Sequence, residues 1–274
     1  MRAVYEIFRD AARGFSARGG DTHAGYIAYA MLLAIFPFLI FATALTGTLI
    51  GEDRSAEAVA VLFEFMPEYL AETLSPALVD LLSRKYNVFT LFILLALWAA
   101  MRAVEAVARA FDAIYGRRET RVWIVRKVKA LVTVVVASGV SVALGLSILL
   151  APVIVEQVEA RTAFTFPENF TIARYVFGMT LLFAFLYALH WYLPSRQARG
   201  FPIWPGALFS TLAWTATATG MSVYLAFSGN YALTYGALAG IVITILFLYF
   251  SGAIVIFGAE LNKATKERRA RWQV

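Results

Sequence analysis

The sequence predicts an all-α protein, a polytopic membrane helix bundle of about six transmembrane helices with amphipathic interfacial helices, forming a single membrane domain over residues 1–274. Three observations carry this. The chain is 61% hydrophobic and 15% charged, where a soluble domain averages about 45–50% apolar and about 25% charged. The apolar residues gather in long uncharged blocks. The basic residues fall on alternate sides of those blocks. The net charge of +6 therefore reads as topology and anionic lipid rather than nucleic acid, because the basic residues sit beside apolar segments. With no cysteine there is no disulfide, thiolate nucleophile or thiolate metal site.

Residues 1–22 form an interfacial helix: Val4, Ile7, Ala11 and Phe15 recur at helical spacing, with Arg2, Glu6, Arg9 and Arg13 elsewhere on the wheel. The first apolar block, residues 25–50, is longer than a signal-peptide core and lacks a small-residue exit, so it reads as a retained span. At about 1.5 Å per residue it exceeds the ~30 Å hydrocarbon core, which calls for tilt or a kink. Pro37 is the natural place for one. Residues 53–86 follow as an acidic excursion of two amphipathic helices punctuated by Pro67 and Pro76.

The remaining spans are placed at about 88–101, with a helical extension to 115, then 130–155, 172–193, 203–227 and 236–258. If the spans alternate, 19 of the 24 Lys and Arg lie on the side of both termini. That bias puts the N- and C-termini in the cytoplasm, and it holds only for an even span count.

Candidate functional residues are mostly polar groups at the ends of these spans. Arg102, Glu105, Arg109 and Asp112 share an arc of about 80° on one helix face, where Glu105 can pair with Arg102 and Arg109. Such charges at the membrane edge would line a vestibule for an anionic substrate. The alternative is a helix leaving the membrane with one solvated face. Arg117, Arg118, Arg121, Trp123, Arg126, Lys127 and Lys129 form a basic segment suited to anionic headgroups, or to topology alone. His190 is expected as an interfacial histidine, with a proton relay as the sharper reading. Asn230, Tyr231 and Tyr235 sit in a short outer turn, and Glu260 and Asn262 close the last span at headgroup level. These join the pathway candidates. Gly206, Ser210, Ala213, Ala216, Thr217 and Gly220 make the fifth span rich in small residues, as close helix packing requires.

An enzymatic reading finds no support in motifs. His23 and His190 are isolated, and neither a P-loop nor a G-x-S-x-G is present. No catalytic residue, metal or cofactor is expected. The expected partners are membrane lipids and anionic headgroups, not nucleic acid; a homo-oligomer is compatible with the composition.

His23-Ala-Gly-Tyr-Ile-Ala-Tyr29 running into Leu33-Ala-Ile-Phe-Pro37, then Tyr192-Leu-Pro194 and Pro205-Gly-Ala-Leu208, are distinctive in combination. So is Tyr231-Ala-Leu-Thr-Tyr-Gly-Ala-Leu238 through to Gly258-Ala-Glu-Leu-Asn262. From about residue 15 to 265 the chain resembles the YihY / virulence factor BrkB family of bacterial inner-membrane proteins. Phe247 departs from the Trp expected before Leu-Tyr. The resemblance implies six spans in the inner membrane and no agreed activity. Transport and envelope or virulence roles have been proposed for the family. Members have also been labelled ribonuclease BN, but a zinc nuclease needs a cluster of His and Asp ligands that two separated histidines do not supply. Two functions remain open: transport of a lipid or anionic envelope metabolite, or a non-transporting scaffold for envelope machinery.

Overall fold

The computed structural model describes residues 2–50, 87–116, 122–145, 147, 155, 159, 161–162, 167, 169–195, 200–227 and 238–272. The outer excursion at 53–86, the basic residues Arg117, Arg118 and Arg121, and the turn residues Asn230, Tyr231 and Tyr235 lie outside the described residues. Among those described, seven α-helices and no strand are present: α1 (Arg2–Ala17), α2 (Gly20–Ile50), α3 (Asn87–Ile114), α4 (Trp123–Gly145), α5 (Asn169–Tyr192), α6 (Trp204–Phe227) and α7 (Leu238–Trp272).

The helix ends follow local chemistry. Gly19 adopts φ 65° after α1 and Gly116 φ 67° after α3, the left-handed cap that glycine takes without a Cβ penalty. The Lys263 ammonium, donating to the Ile114 carbonyl at 2.7 Å, satisfies one orphan acceptor at the end of α3. Pro194 follows the end of α5, and Pro205 sits in the first turn of α6, where a missing N–H costs nothing. α2 continues through Pro37 as helix.

By their contacts the residues divide into two compact units: Met1–Asp21, Val107–Thr215 and Ala253–Val274 form one, Thr22–Ala106 and Ala216–Gly252 the other. In the second unit the buried apolar residues, Ile27 apart, are small: Ala24, Ala28, Ala30, Ala96, Ala99, Ala103 and Ala106. A Cβ on Gly252 would lie 3.3 Å from the Ala24 carbonyl oxygen and from Ile27 Cγ2, so α2 and α7 meet closely there. Its exposed side chains are large and apolar, among them Leu94, Trp98, Val223, Leu246 and Phe250.

The first unit buries larger side chains, among them Phe111, Ile114, Leu186 and Ile256. α4 packs against α5. α1 packs its apolar face on the end of α7, burying Ala11 with Leu261 and Ala264 beneath Ile7, Phe209 and Phe257. Phe8 meets Phe209 edge-on at 5.8 Å, and Arg268 ties α7 to Glu6 and Asp10 of α1. Inside lie Asp112, Thr133, His190, Ser210, Thr211, Glu260 and Asn262; outside lie Leu131, Val135, Ile172, Val176, Phe177 and Leu212. In a water-soluble protein buried polar groups and broad exposed apolar faces are the exceptions. Two stretches, Phe170–Tyr192 and Ile241–Ala270, are long and apolar enough to cross a membrane.

Candidate functional site

The polar residues of the first unit converge where α7 crosses α6. Gly206 and Gly258 permit that crossing: a Cβ on Gly206 would run into the Gly258 carbonyl, and one on Gly258 would lie 2.9 Å from His190 Nε2. Around this contact, the Asn262 Oδ1 accepts from the Gly206 N–H at 2.7 Å. This satisfies a first-turn donor of α6 from another helix. Ser210 donates to the Ile254 carbonyl at 3.2 Å. The Asn262 Nδ2 and the Tyr115 hydroxyl are both buried and complete no hydrogen bond of ordinary geometry. Burial holds the Tyr115 phenol well above its usual pKa; the Asn262 amide opposes that shift and the charge of Glu260 adds to it.

Glu260 is 1% exposed and carries a two-pronged pair with Arg18, whose Nε donates to Oε1 at 2.7 Å and whose Nη2 reaches Oε2. Gly14 leaves room for the guanidinium: a Cβ there would lie 2.5 Å from the carboxylate. The hydrogen bond to Glu260 raises the pKa of Arg18, with burial opposing. A forked pair of this kind neutralises a carboxylate that could not otherwise be buried.

Other residues singled out in the sequence also find their places here. Glu260 and Asn262 are buried in protein, because α1 and the Arg18 turn cover this part of α7. His190 is fully buried in protein, its ring 5.0 Å from Phe111. Its Nδ1 faces the Leu186 carbonyl at 2.8 Å and its Nε2 the Val255 carbonyl at 3.2 Å. The charged arc on α3 is split rather than shared. Glu105 and Asp112 are buried, whereas Arg102 and Arg109 are exposed. Asp112 accepts from the Ser195 N–H at 2.8 Å, and Arg102 lies over Trp98 at 5.7 Å. In the basic segment Trp123 is exposed and Arg126 and Lys127 are half-buried, with Lys127 over the Trp123 ring. Lys129 meets acceptors within the protein. Its ammonium bonds the carbonyls of Tyr192, Leu193 and Pro194 and sits 4.4 Å over the Tyr192 ring, where the α5 dipole favours a cation.

Arg18, Tyr115 and Ser195 escaped the sequence reading. The missed signal was a glutamate, Glu260, within an apolar run, which demands a cation from elsewhere in the chain. Beside the cluster, a cleft of about 550 Å³ opens between the ends of α5 and α7 and the start of α6, lined by Tyr187, Trp191, Ser195, Phe201, Trp204 and Arg269 among others. Among the described residues no group of three or more His, Asp or Glu could hold a metal ion.

A family model described as virulence factor BrkB matches residues 11–273. The chain is similar to the ribonuclease-like protein YfkH of Bacillus subtilis, 27% identical over 267 residues and covering 93% of each chain. It is 25% identical over 261 residues to a UPF0761 membrane protein of Alteromonas mediterranea, spanning 90% of this chain and 84% of that one. To a UPF0761 membrane protein of Azoarcus sp. it is 23% identical over 271 residues, spanning 96% of this chain and 64% of the relative. No solved structure matches.

Proposed function

The chain belongs to the virulence factor BrkB family of membrane proteins, and from that premise we propose that it is a six-span inner-membrane transporter of an anionic lipid or anionic envelope metabolite. Both termini face the cytoplasm in this reading, as the distribution of its Lys and Arg favours. One observation supports transport over scaffolding. A chain that faces outward with Leu, Val and Phe keeps Glu260, Asn262, Tyr115 and His190 inside, with the half-buried Arg18 paired to Glu260. Ionisable and amide groups are expensive at such positions and mark pathways in membrane proteins. Two donors in that cluster, Asn262 Nδ2 and Tyr115 Oη, lie near each other yet complete no hydrogen bond of ordinary geometry, so both can turn to a guest. Phosphate and carboxylate oxygens are acceptors that fit them. The chemistry is binding and release, without covalent steps. The nuclease suggested by the name of the Bacillus relative would need a ligand cluster that His23 and His190 do not provide.

Purified protein in vesicles containing tail-labelled phosphatidylglycerol tests the reading by chemical quenching of the outer leaflet. Wild type is expected to make inner-leaflet label accessible, and Asn262→Ala to slow this by about tenfold or more, the loss of one buried hydrogen-bonding group. Folded wild type that moves neither this lipid nor a small organic phosphate would refute transport.

A further inference from the structure

The cleft beside the polar cluster is built for more than packing. Ser195 is buried on its wall; its N–H goes to Asp112 at 2.8 Å, yet its hydroxyl oxygen has no partner. A buried hydroxyl without a partner is rare in a finished core. The backbone bond fixes Ser195 in place and leaves Oγ to whatever enters.

The cleft also has the electrostatics of an anion site. The start of α6 is part of the wall at Ile203 and Trp204, and the N-terminal end of a helix attracts negative charge. In its first turn Pro205 has no N–H and Gly206 gives its own to Asn262. Arg269 reaches the cleft from α7, one turn after Lys266, whose ammonium lies 4.0 Å over the Phe201 ring. Among the described residues the wall carries no carboxylate. The nearest acid along α7, Glu267, exerts its field on Arg18.

The rim is aromatic and open. Trp191 and Trp204 are each 53% exposed and Tyr187 is 41% exposed. Tyr and Trp prefer the zone where headgroups meet acyl chains. A hydroxyl, a guanidinium and a helix N-terminus inside an aromatic rim match a phosphate carried on an apolar tail.

From this geometry we propose that the cleft formed by Ser195, Trp204 and Arg269 binds the phosphate of an anionic phospholipid headgroup. The proposal deepens the transport reading and rests on it for the role of the bound lipid, although capture itself is a separate event. Free phosphate offers the same oxygens, so the test uses both.

The probes are short-chain phosphatidylglycerol and inorganic phosphate, titrated separately into full-length protein in neutral detergent, with thermal unfolding as the readout. Phosphatidylglycerol is expected to raise the unfolding midpoint of wild type progressively with concentration. Arg269→Gln and Ser195→Ala are each expected to weaken its apparent affinity by about tenfold, the loss of one charge-assisted or buried hydrogen bond. Arg269 is exposed and Ser195→Ala removes a single atom, so both variants should fold. A shift produced by phosphate alone, and lost in both variants, would assign the same site to a soluble phosphate. If wild type responds to neither probe, or both variants bind phosphatidylglycerol as wild type does, the proposal is overturned. Vesicle flux on the same proteins separates the two ideas. Normal flux without cleft binding sinks the cleft and spares transport. Cleft binding in a wild type that moves nothing does the reverse.

Discussion

Alanine in place of glycine should have opposite effects at two positions of one helix, α6. At Gly206 the new Cβ would lie 2.6 Å from Asn262 Oδ1 and 2.7 Å from its Cγ, and would run into the backbone carbonyl of Gly258. Backbone cannot swing aside, so the α6–α7 crossing must widen. Overpacking of this kind costs about 1–3 kcal/mol. Widening also strips the Gly206 N–H of its Asn262 acceptor, a further cost of about 1–3 kcal/mol for a buried donor left unmet. Against this, alanine gains about 1 kcal/mol of helix propensity. The balance is a destabilisation of about 1–5 kcal/mol. At Gly220 no atom lies within 4 Å of the added Cβ, so only the propensity acts. That change should be neutral or stabilising by at most about 1 kcal/mol. Thermal unfolding of both variants in one detergent reads the contrast, at roughly 2–4 °C per kcal/mol. Gly206→Ala as stable as wild type, or Gly220→Ala falling equally far, would refute the packing argument.

Three other outcomes follow from the same structure. Arg18→Ala strands a glutamate that is 1% exposed; because the Arg18 side chain is itself 31% exposed, the usual cost is discounted to about 2–3 kcal/mol. A double-mutant cycle with Glu260→Gln should recover most of that loss in unfolding measurements. Arg268→Ala removes the ties to Glu6 and Asp10 and should speed trypsin cleavage around α1, visible on a gel against wild type. Reporter fusions after Asp53 and Glu168 should read outside, and fusions at Arg118 and the C-terminus inside; a reversal would overturn the charge-based topology.

Much of the helical layout was legible because it depends on local composition. Expected spans at 172–193 and 203–227 compare with helices Asn169–Tyr192 and Trp204–Phe227. The candidate site was legible only in part. A helical wheel places Arg102, Glu105, Arg109 and Asp112 on one arc but cannot say that the edge of burial divides it, leaving the acids inside and the arginines outside. The carbonyl acceptors of Lys129 come from the end of another helix, which its own basic segment does not foretell. Glu260 meets Arg18 across 242 positions, a pairing created by tertiary packing that no local pattern encodes. Gly206 and Gly220 look alike in sequence, yet only Gly206 faces another helix closely.

The chain has no cysteine, so one introduced thiol is a unique reporter, and this permits the most direct test of the central claim that the buried polar cluster is a pathway. Ser210→Cys places a thiol in that cluster, and Ala11→Cys places one in the equally buried apolar contact between α1 and α7. Modification by a small water-borne, membrane-impermeant thiosulfonate should be followed in reconstituted protein of native stability. If the account is right, the thiol at 210 reacts measurably faster than the thiol at 11, because the cluster opens to water during its cycle. If both remain equally inert, the cluster is a permanently closed structural core and the transport account is contradicted.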